Sequence, residues 1–487
     1  MNTTNTIDYE ANITDLKDKL SEIIEFVKLS SDKLYAHKME QEIHKQVLEI
    51  GKGLMKYYFE NITNNDLGKE IVNDDNILFQ KHNILTKDYY SVFGKFKIHR
   101  TSYIHKGLKP IYPLDLQCNL PDKTYSYYLQ DIMNSLSVNN TFSESKNILK
   151  KVLHINLHES SLEGLTASSS IYYDTYYDEK DVSDLENEGE LQVTSFDGKG
   201  VPMIKKESAK IKGRQGKGEK KQKKKEALVA VSYTVDKNIR TAEDIADNLI
   251  FPEKKDTEEE SQKVPKGQNI RRMASLTKTK AEVVKAIEKD SFCRNSDNKR
   301  KNIVLIDGMP ALQKLVENNY TDIKNYTIIL DIIHVLEYLY IIAHLLFKES
   351  SPEAKNYVRK QLVKILKGKT NRVVGGMKQS ITKKEIKGAK LKAINKVIRY
   401  LSNHEKIMKY DEYIKQGFPI GTGVVESSCK TLVKDRMEGS GKRWSLNGAE
   451  AMLKIRSIKT SNDFDNYQKL YIAKEYEKKK KRMKYTA

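Results

Sequence analysis

Apolar residues along this chain recur first at the spacing of helices, then at the spacing of strands, then at helical spacing again. Residues 7 to 60 read as helices. In the second of them Met39, Ile43, Val47, Ile50 and Leu54 line one side, and an arm of this kind dimerises or packs on the next domain. Residues 89 to 105, YYSVFGKFKIHRTSYIH, predict a β-hairpin with strand-forming residues on both sides of Gly94. From 125 to 170 the helical pattern returns. Within it, Phe142 to Leu165 divides into a helix capped by Ser143 with Ser145 and running to about Leu153, a break around Asn156, and a second helix started by Ser160 or Ser161. Helix, short turn, helix is either a DNA-reading helix-turn-helix or an ordinary helical hairpin.

A strand-rich region starts near Leu191. LQVTSFD, ALVAVSYTV, IVLID and YTIILD are short apolar runs with β-branched residues. Helical segments lie between and after them, which predicts an α/β domain with a partly parallel sheet. The most apolar window, Ile328 to Phe347, carries Asp331, His334, Glu337 and His344. A membrane span rarely tolerates these, so the window reads as a buried strand followed by a core helix. Lys205 to Lys225 holds eleven Lys or Arg against two Glu, with three Gly, and Glu253 to Gln268 is polar and partly acidic. Both predict loops. Lys478 to Lys484 is a further basic run. No internal repeat is evident.

These patterns divide the chain into a helical arm (1–70), a segment containing the hairpin (71–120) and a helical, helix-turn-helix-like DNA-binding region (121–185). An α/β domain follows (186–460), with the charged insert at 205–225 and a helical insert at about 350–409. A basic tail (461–487) ends the chain.

The charge balance changes the reading of partners. Lys plus Arg number 86 against 66 Asp plus Glu, a net +20, which favours a polyanion, nucleic acid ahead of an anionic membrane. An AT-rich genome that over-uses Lys codons produces the same bias, so charge alone does not decide. The three cysteines, Cys118, Cys293 and Cys429, have no zinc-ligand spacing. They predict a reduced, cytoplasmic protein without a disulfide framework. The opening residues carry no signal peptide.

Three apolar runs end in an acid: Asp197 after Phe196, Asp307 after Ile306, Asp331 after Leu330. In an α/β sheet, reacting groups gather at the carboxyl ends of the strands. Acids on neighbouring strands, about 4.8 Å apart, can share a cation. Phosphodiester cleavage needs an activated oxygen nucleophile and a stabilised leaving oxygen, and two divalent ions roughly 3.5–4 Å apart supply both. Mg²⁺, or Mn²⁺ in its place, takes such hard oxygen ligands. A further acid, Glu426, follows a turn marked by Gly421 and Gly423, with Thr422 as N-cap, and so falls in the first turn of a helix.

The order SFDGKGVPM, IVLIDGMPAL, LDIIHVLEYL, GTGVVESSCKTLVKDRMEGSGKRWS resembles bacterial insertion-sequence transposases, most nearly the ISKra type with the ISLre type as a near relative. The last motif is the most specific. The resemblance is strong over about 190–457, weak over 89–170 and slight over 1–70. It implies a ribonuclease-H-like core, a mixed five-stranded sheet with flanking helices, bearing an Asp, Asp, Glu triad that binds two ions. Asp197 matches the first acid, Asp307 the second and Glu426 the third, at spacings of 110 and 119 residues. Asp331 competes with Asp307. In this fold the first and fourth strands are neighbours and the fifth lies beyond, which favours Asp307. Asp331 with His334 resembles the Asp-x-x-His motif that follows the second acid in several transposase superfamilies, and implies a supporting or DNA-positioning role.

Lys199, Arg436, Lys442 and Arg443 are weaker candidates for DNA phosphates. Gly198 and Gly200 read as a turn, or as room for DNA or a metal to approach the backbone. Trp444 reads as packing rather than base stacking. The implied partners are double-stranded DNA, as terminal inverted repeats and target, and further copies of the chain in a homodimer or larger assembly, with no membrane. The competing readings are a nuclease or resolvase on the same core without strand transfer, and a non-catalytic DNA-binding protein descended from a transposase.

Overall fold

The computed structural model describes residues 9–62, 65–182, 187–211, 223–252, 265–383, 385–439, 441–483 and 485–486. The centre of the predicted charged insert, 212–222, most of the polar stretch, 253–264, and Lys484 lie outside the described residues. The chain divides into two units, Met1–Tyr176 with Asp463–Ala487, and Tyr177–Asn462.

In the first unit, α1 (Tyr9–Ser30) and α2 (Ala36–Glu60) form a helical hairpin. β1 (Glu70–Asn73), β2 (Leu78–Ser91) and β3 (Gly94–Ile104) form an antiparallel sheet, extended beside β1 by a short strand at Tyr485–Thr486. Gly94 closes the β2–β3 turn at φ 108, a conformation glycine adopts without a Cβ clash.

Three helices follow: α3 (Tyr127–Asn139), α4 (Phe142–Leu153) and α5 (Glu159–Ser169). They share a core that includes Leu129, Met133, Leu149, Leu162 and Leu165. The helix starts differ from the sequence reading. Thr141 caps α4 in a reciprocal box with Glu144, whereas Ser145 is buried and donates back to the Thr141 carbonyl at 2.9 Å. Ser143 and Ser145 lie inside the helix, because Phe142 already takes its first position. α5 opens at Glu159 behind His158, without a side-chain cap, so Ser160 and Ser161 are also interior.

The predicted basic tail is a helix, Phe464–Arg482. Tyr467, Tyr471, Glu475 and Lys479 form its buried stripe, four residues apart. The Tyr467 hydroxyl donates to the Ser169 carbonyl, and Tyr172 donates to Glu475 at 2.8 Å. Lys479 donates to Asn119 Oδ1 at 3.1 Å, and burial lowers its pKa to about 8. Two of the four buried positions are charged, so hydropathy alone hides the stripe.

The second unit is built on a five-stranded sheet: β4 (Leu191–Pro202), β5 (Lys224–Val235), β6 (Gln268–Ser275), β7 (Lys301–Ile306) and β8 (Tyr326–Leu330). Its order is β6-β5-β4-β7-β8. β4, β5 and β6 are antiparallel neighbours, while β7 and β8 run parallel to β4. These are the order and directions of the ribonuclease-H-like fold. β6 carries no apolar run because two of its central residues are arginines. Arg271 is buried, 3.2 Å from Asp290 and over the Tyr177 ring, and Arg272 donates to Ser428 at 3.1 Å.

Phe196, Ala230, Met273, Val304 and Ile306 face a core closed by Val283, Val284 and Ile287 of α6 (Lys280–Arg294) and Leu312 and Val316 of α7 (Pro310–Asn319). The apolar window predicted as strand then core helix is β8 followed by α8 (Ile332–Leu346). Next come α9 (Pro352–Leu366), α10 (Thr370–Lys383) and α11 (Gly388–His404). α12 (Gly423–Ser428) packs on β4 and β5 and continues as a π-helical turn, Cys429–Lys434. α13 (Leu446–Thr460) covers β6. Among the described residues no helix is long and apolar enough to cross a membrane.

One buried ion pair ties the start of β4 to α6. Arg294 donates through Nη2 to both Glu188 oxygens at 2.7 and 2.9 Å, and through Nη1 to the Asn269 carbonyl at 3.0 Å. Both side chains are almost fully buried. Removing Glu188 leaves Arg294 only its longer 3.8 Å ion-pair contact with Asp290, so Glu188→Ala is expected to lower the unfolding free energy by about 3 kcal/mol. Denaturant unfolding checks this. A loss below about 1 kcal/mol would show that Arg294 finds another partner.

Candidate active site

The site follows from the β4–β7 register. Ser195 pairs with Leu305, the last pair of the β4–β7 ladder, so Asp197 lies two residues past that pair on β4 and Asp307 two residues past it, directly after β7. Asp197 was expected at a strand end, but β4 continues to Pro202, paired with β5. The end that matters is that of β7, whose last residue is Ile306. Side chains alternate along a strand. Phe196 enters the α6–α7 core and Asp197 points to the other face. There its carboxylate accepts from the Gly198 N–H at 2.7 Å and from the Cys429 thiol at 3.1 Å.

That thiol locates the third acid. Cys429 opens the π-helical turn, a form found mostly as single turns within α-helices and frequently at functional sites. Glu426 is three residues earlier, on the same helical side, with about 5–6 Å expected between such Cβ atoms. Glu426 is exposed and Cys429 buried. Burial, the Asp197 carboxylate and, more weakly, Glu426 all raise the thiol pKa well above its usual value. Glu426 also lines a cavity of about 450 Å³ whose walls include Tyr233, Ile332, Ile420 and Val424.

Asp307 is half-buried and accepts from the Met309 N–H at 2.9 Å. Burial raises its pKa and the charge of Asp197 adds to this, while the Met309 N–H and nearby His334 oppose it. The turn behind it is tightly held. Gly308 has φ 81, and a Cβ there would lie 2.6 Å from Leu330 Cδ1 and 2.8 Å from the Tyr400 hydroxyl. Tyr400, on α11, donates to the Asp307 carbonyl at 3.1 Å and stacks on Tyr338 of α8 at 3.8 Å between ring centres. Nothing local in the sequence marks Tyr400 or Tyr338. Cys429 was legible in principle, since it falls one helical turn after Glu426.

Asp331 directly follows β8, whose last residue is Leu330, and β8 lies one strand beyond the β7 that precedes Asp307. Its buried carboxylate caps α8, accepting from the Ile333 N–H at 2.9 Å, and also accepts from the Thr422 N–H at 3.3 Å and the Thr422 hydroxyl. Burial raises its pKa and Thr422 counteracts this. Thr422 therefore does not cap α12 with its side chain, as expected from sequence; it ties the start of the Glu426 helix to Asp331. His334, one turn into α8, is partly exposed and 3.2 Å from Glu337.

The weaker candidates separate by burial. Gly198 and Gly200 are not in a turn. They sit in β4, where a Cβ would press on the side chains of Glu226 and Lys224. Lys199 is half-buried, near enough to Cys429 to act on its thiol. Arg436 is buried with its guanidinium 4.9 Å from the Trp444 ring centre, so it is not presented to a phosphate. Trp444 is a packing residue whose indole N–H donates to the Met437 carbonyl at 3.1 Å. Lys442 reaches back to the Arg436 carbonyl at 3.2 Å, and Arg443 is exposed.

Two carboxylates with hard oxygen donors at neighbouring strands, that of Asp307 raised in pKa by burial and further by Asp197, suit a divalent cation such as Mg²⁺. Among the described residues no three His, Cys, Asp or Glu side chains stand close enough to enclose one ion. The arrangement is a pair, Asp197 and Asp307, with Glu426 on the helix that contacts Asp197. No family model and no curated relative matches the chain. One solved structure, the Drosophila P element transposase strand transfer complex, is similar at TM-score 0.26 and 10% identity, covering 72% of this chain and 85% of that one. A likeness that faint carries no argument about function.

Two outcomes are expected. A carboxyl whose pKa is raised on folding costs stability once ionised, so the cost is present above its folded value and vanishes below the ordinary 3.8. Asp307→Asn, which keeps the acceptor for Met309, is expected to unfold at higher denaturant than wild type at pH 7 without divalent ions, and at the same denaturant in acid below that value. A variant no more stable at pH 7 would contradict the raised pKa. Gly308→Ala, with its left-handed φ and two close neighbours, is expected to lose about 1–3 kcal/mol, read from chemical denaturation.

Proposed function

We propose that this chain is a DNA transposase of the Asp-Asp-Glu type from an insertion sequence resembling the ISKra group. The observation that carries the reading is the placement of Asp197 and Asp307 each two residues past the last pair of the adjacent parallel strands β4 and β7, with the Glu426 helix joined to Asp197 through Cys429. The sequence resemblance supplies the reaction class.

In this reading Asp197, Asp307 and Glu426 would hold two Mg²⁺ or Mn²⁺ ions. Bound there, the ions supply Lewis acidity and a more acidic water for attack on a phosphodiester. Asp197 and Asp307 offer hard oxygens from one sheet edge, and Glu426 offers a third carboxylate from the helix crossing it. Asp331 positions that helix through Thr422. His334, partly exposed and acting on Asp307, faces where a DNA strand must pass. Water cleaves the strand at the element end and leaves a 3′-hydroxyl. That hydroxyl attacks a target phosphodiester, forming one P–O bond as another breaks. The partners are double-stranded DNA, as inverted repeats and target, with α4 and α5 as the end-reading pair, and a second copy of the chain or more on the DNA.

The test is cleavage and joining of element ends with Mg²⁺ or Mn²⁺. Asp197→Asn, Asp307→Asn and Glu426→Gln are each expected to lower both rates by at least about 100-fold, since even outer-shell partners of a metal are worth roughly 10–100-fold. Metal-free DNA binding should survive in all three. Full activity in any one removes that residue from the triad. Cleavage by wild type without joining would identify a nuclease.

A further inference from the structure

The helices between α8 and the Glu426 motif carry an uneven charge. From Lys369 to Arg399 the chain has ten Lys or Arg and one acid, Glu385. The buried side of α10 is Thr370, Val373, Val374 and Met377. Arg372, Gly375, Gly376, Gln379 and Lys383 lie opposite, all exposed. α11 buries Ile394, Val397, Ile398 and Leu401, and its exposed opposite side is Lys392, Lys396, Arg399 and Asn403. Neither outward face contains a carboxylate. Among the described residues, Arg372, Lys383, Lys392, Lys396 and Arg399 form no ion pair.

Two details point to what occupies these faces. Gly375 and Gly376 sit side by side in the middle of α10, where glycine is the weakest helix former after proline. A Cβ at either would meet nothing within 4 Å, so packing within the chain does not require them. Bare backbone between two cations suits the close approach of a ligand. The α11 stripe also runs toward the catalytic turn. The Lys396 ammonium lies 5.7 Å from the Tyr338 ring centre, Tyr338 stacks on Tyr400, and Tyr400 donates to the Asp307 carbonyl.

We infer that the outward faces of α10 and α11 form a track for the phosphate backbone of double-stranded DNA. Lys392, Lys396 and Arg399 contact successive phosphates leading to Asp307, and Gly375 and Gly376 admit a phosphate close to the α10 backbone. This rests on the proposed function for its partner. It adds the surface that receives DNA and a route from that surface to the second acid.

The test is the salt dependence of binding to a random-sequence duplex, measured on the full chain without metal. Each phosphate contact contributes roughly 0.9 to the slope of log K against log salt. The triple variant Lys392→Gln, Lys396→Gln, Arg399→Gln is expected to reduce the slope by up to about 2.7. The charge-keeping variant Lys392→Arg, Lys396→Arg, Arg399→Lys should hold the wild-type slope, which separates lost contacts from misfolding. Gly375→Ala with Gly376→Ala is expected to raise the melting temperature and weaken binding severalfold. An unchanged slope in the neutral triple variant overturns the track while leaving the transposase reading intact. A higher melting temperature with unchanged affinity overturns the role of the glycines. Wild type that shows no salt-sensitive DNA binding overturns both the track and the proposed function.

Discussion

The parallel register between β4 and β7 is the constraint on which the second unit depends. It sets Ser195 beside Leu305, with Asp197 and Asp307 each two residues further along. A slip of one residue would turn Asp197 into the apolar core and Phe196 out of it. Phe196 is fully buried there, and burying a side chain of that size is worth roughly 1.5–3 kcal/mol. The interaction that stabilises the sheet is thus the one that aligns the carboxylates. The Glu188–Arg294 pair sits just before β4 and helps hold that alignment from outside the ladder.

Much of this could be read from the chain, for a physical reason. A strand buried on both faces is a continuous apolar run, and β4, β5, β7 and β8 each contain one, so the acid after each apolar run stands out. β6 hides because Arg271 and Arg272 enter buried surroundings with polar partners of their own. The choice of Asp307 over Asp331 needed strand order, and the observed order agrees with the one used. Helix starts fared less well. Ser143, Ser145, Ser160 and Ser161 are all plausible caps by type, but the position just before the first helical residue decides, and Thr141 and His158 occupy it.

What could not be read was contact between distant segments. Tyr400 is 93 residues from Asp307 yet donates to its carbonyl, and Thr422 is 91 residues from the Asp331 it bonds. Both partners have ordinary local surroundings in sequence. Asp331 shows the consequence. As a residue type at a strand end it competes with Asp307. In the fold, capping of α8 and the Thr422 contacts engage its carboxylate, and it follows β8, which β7 separates from the strand of Asp197. A buried acid with several donors is an anchor for the chain segments that supply them, and here those segments are the starts of α8 and of the Glu426 helix.

The net charge of +20 also divides into two populations that composition cannot separate. Arg271, Arg294, Arg436, Arg456 and Lys479 are buried, and with partners such as Asp290, Glu188 and Asn119 they serve the fold. Their charge is no measure of affinity for a polyanion. The cations of α10 and α11 are exposed, on faces without acids, above a hydrophobic side that already fixes the helices. A charge in the first population is needed to satisfy a buried partner. The charges of the second population form no ion pair among the described residues, so their clustering on faces without acids calls for a partner outside the chain.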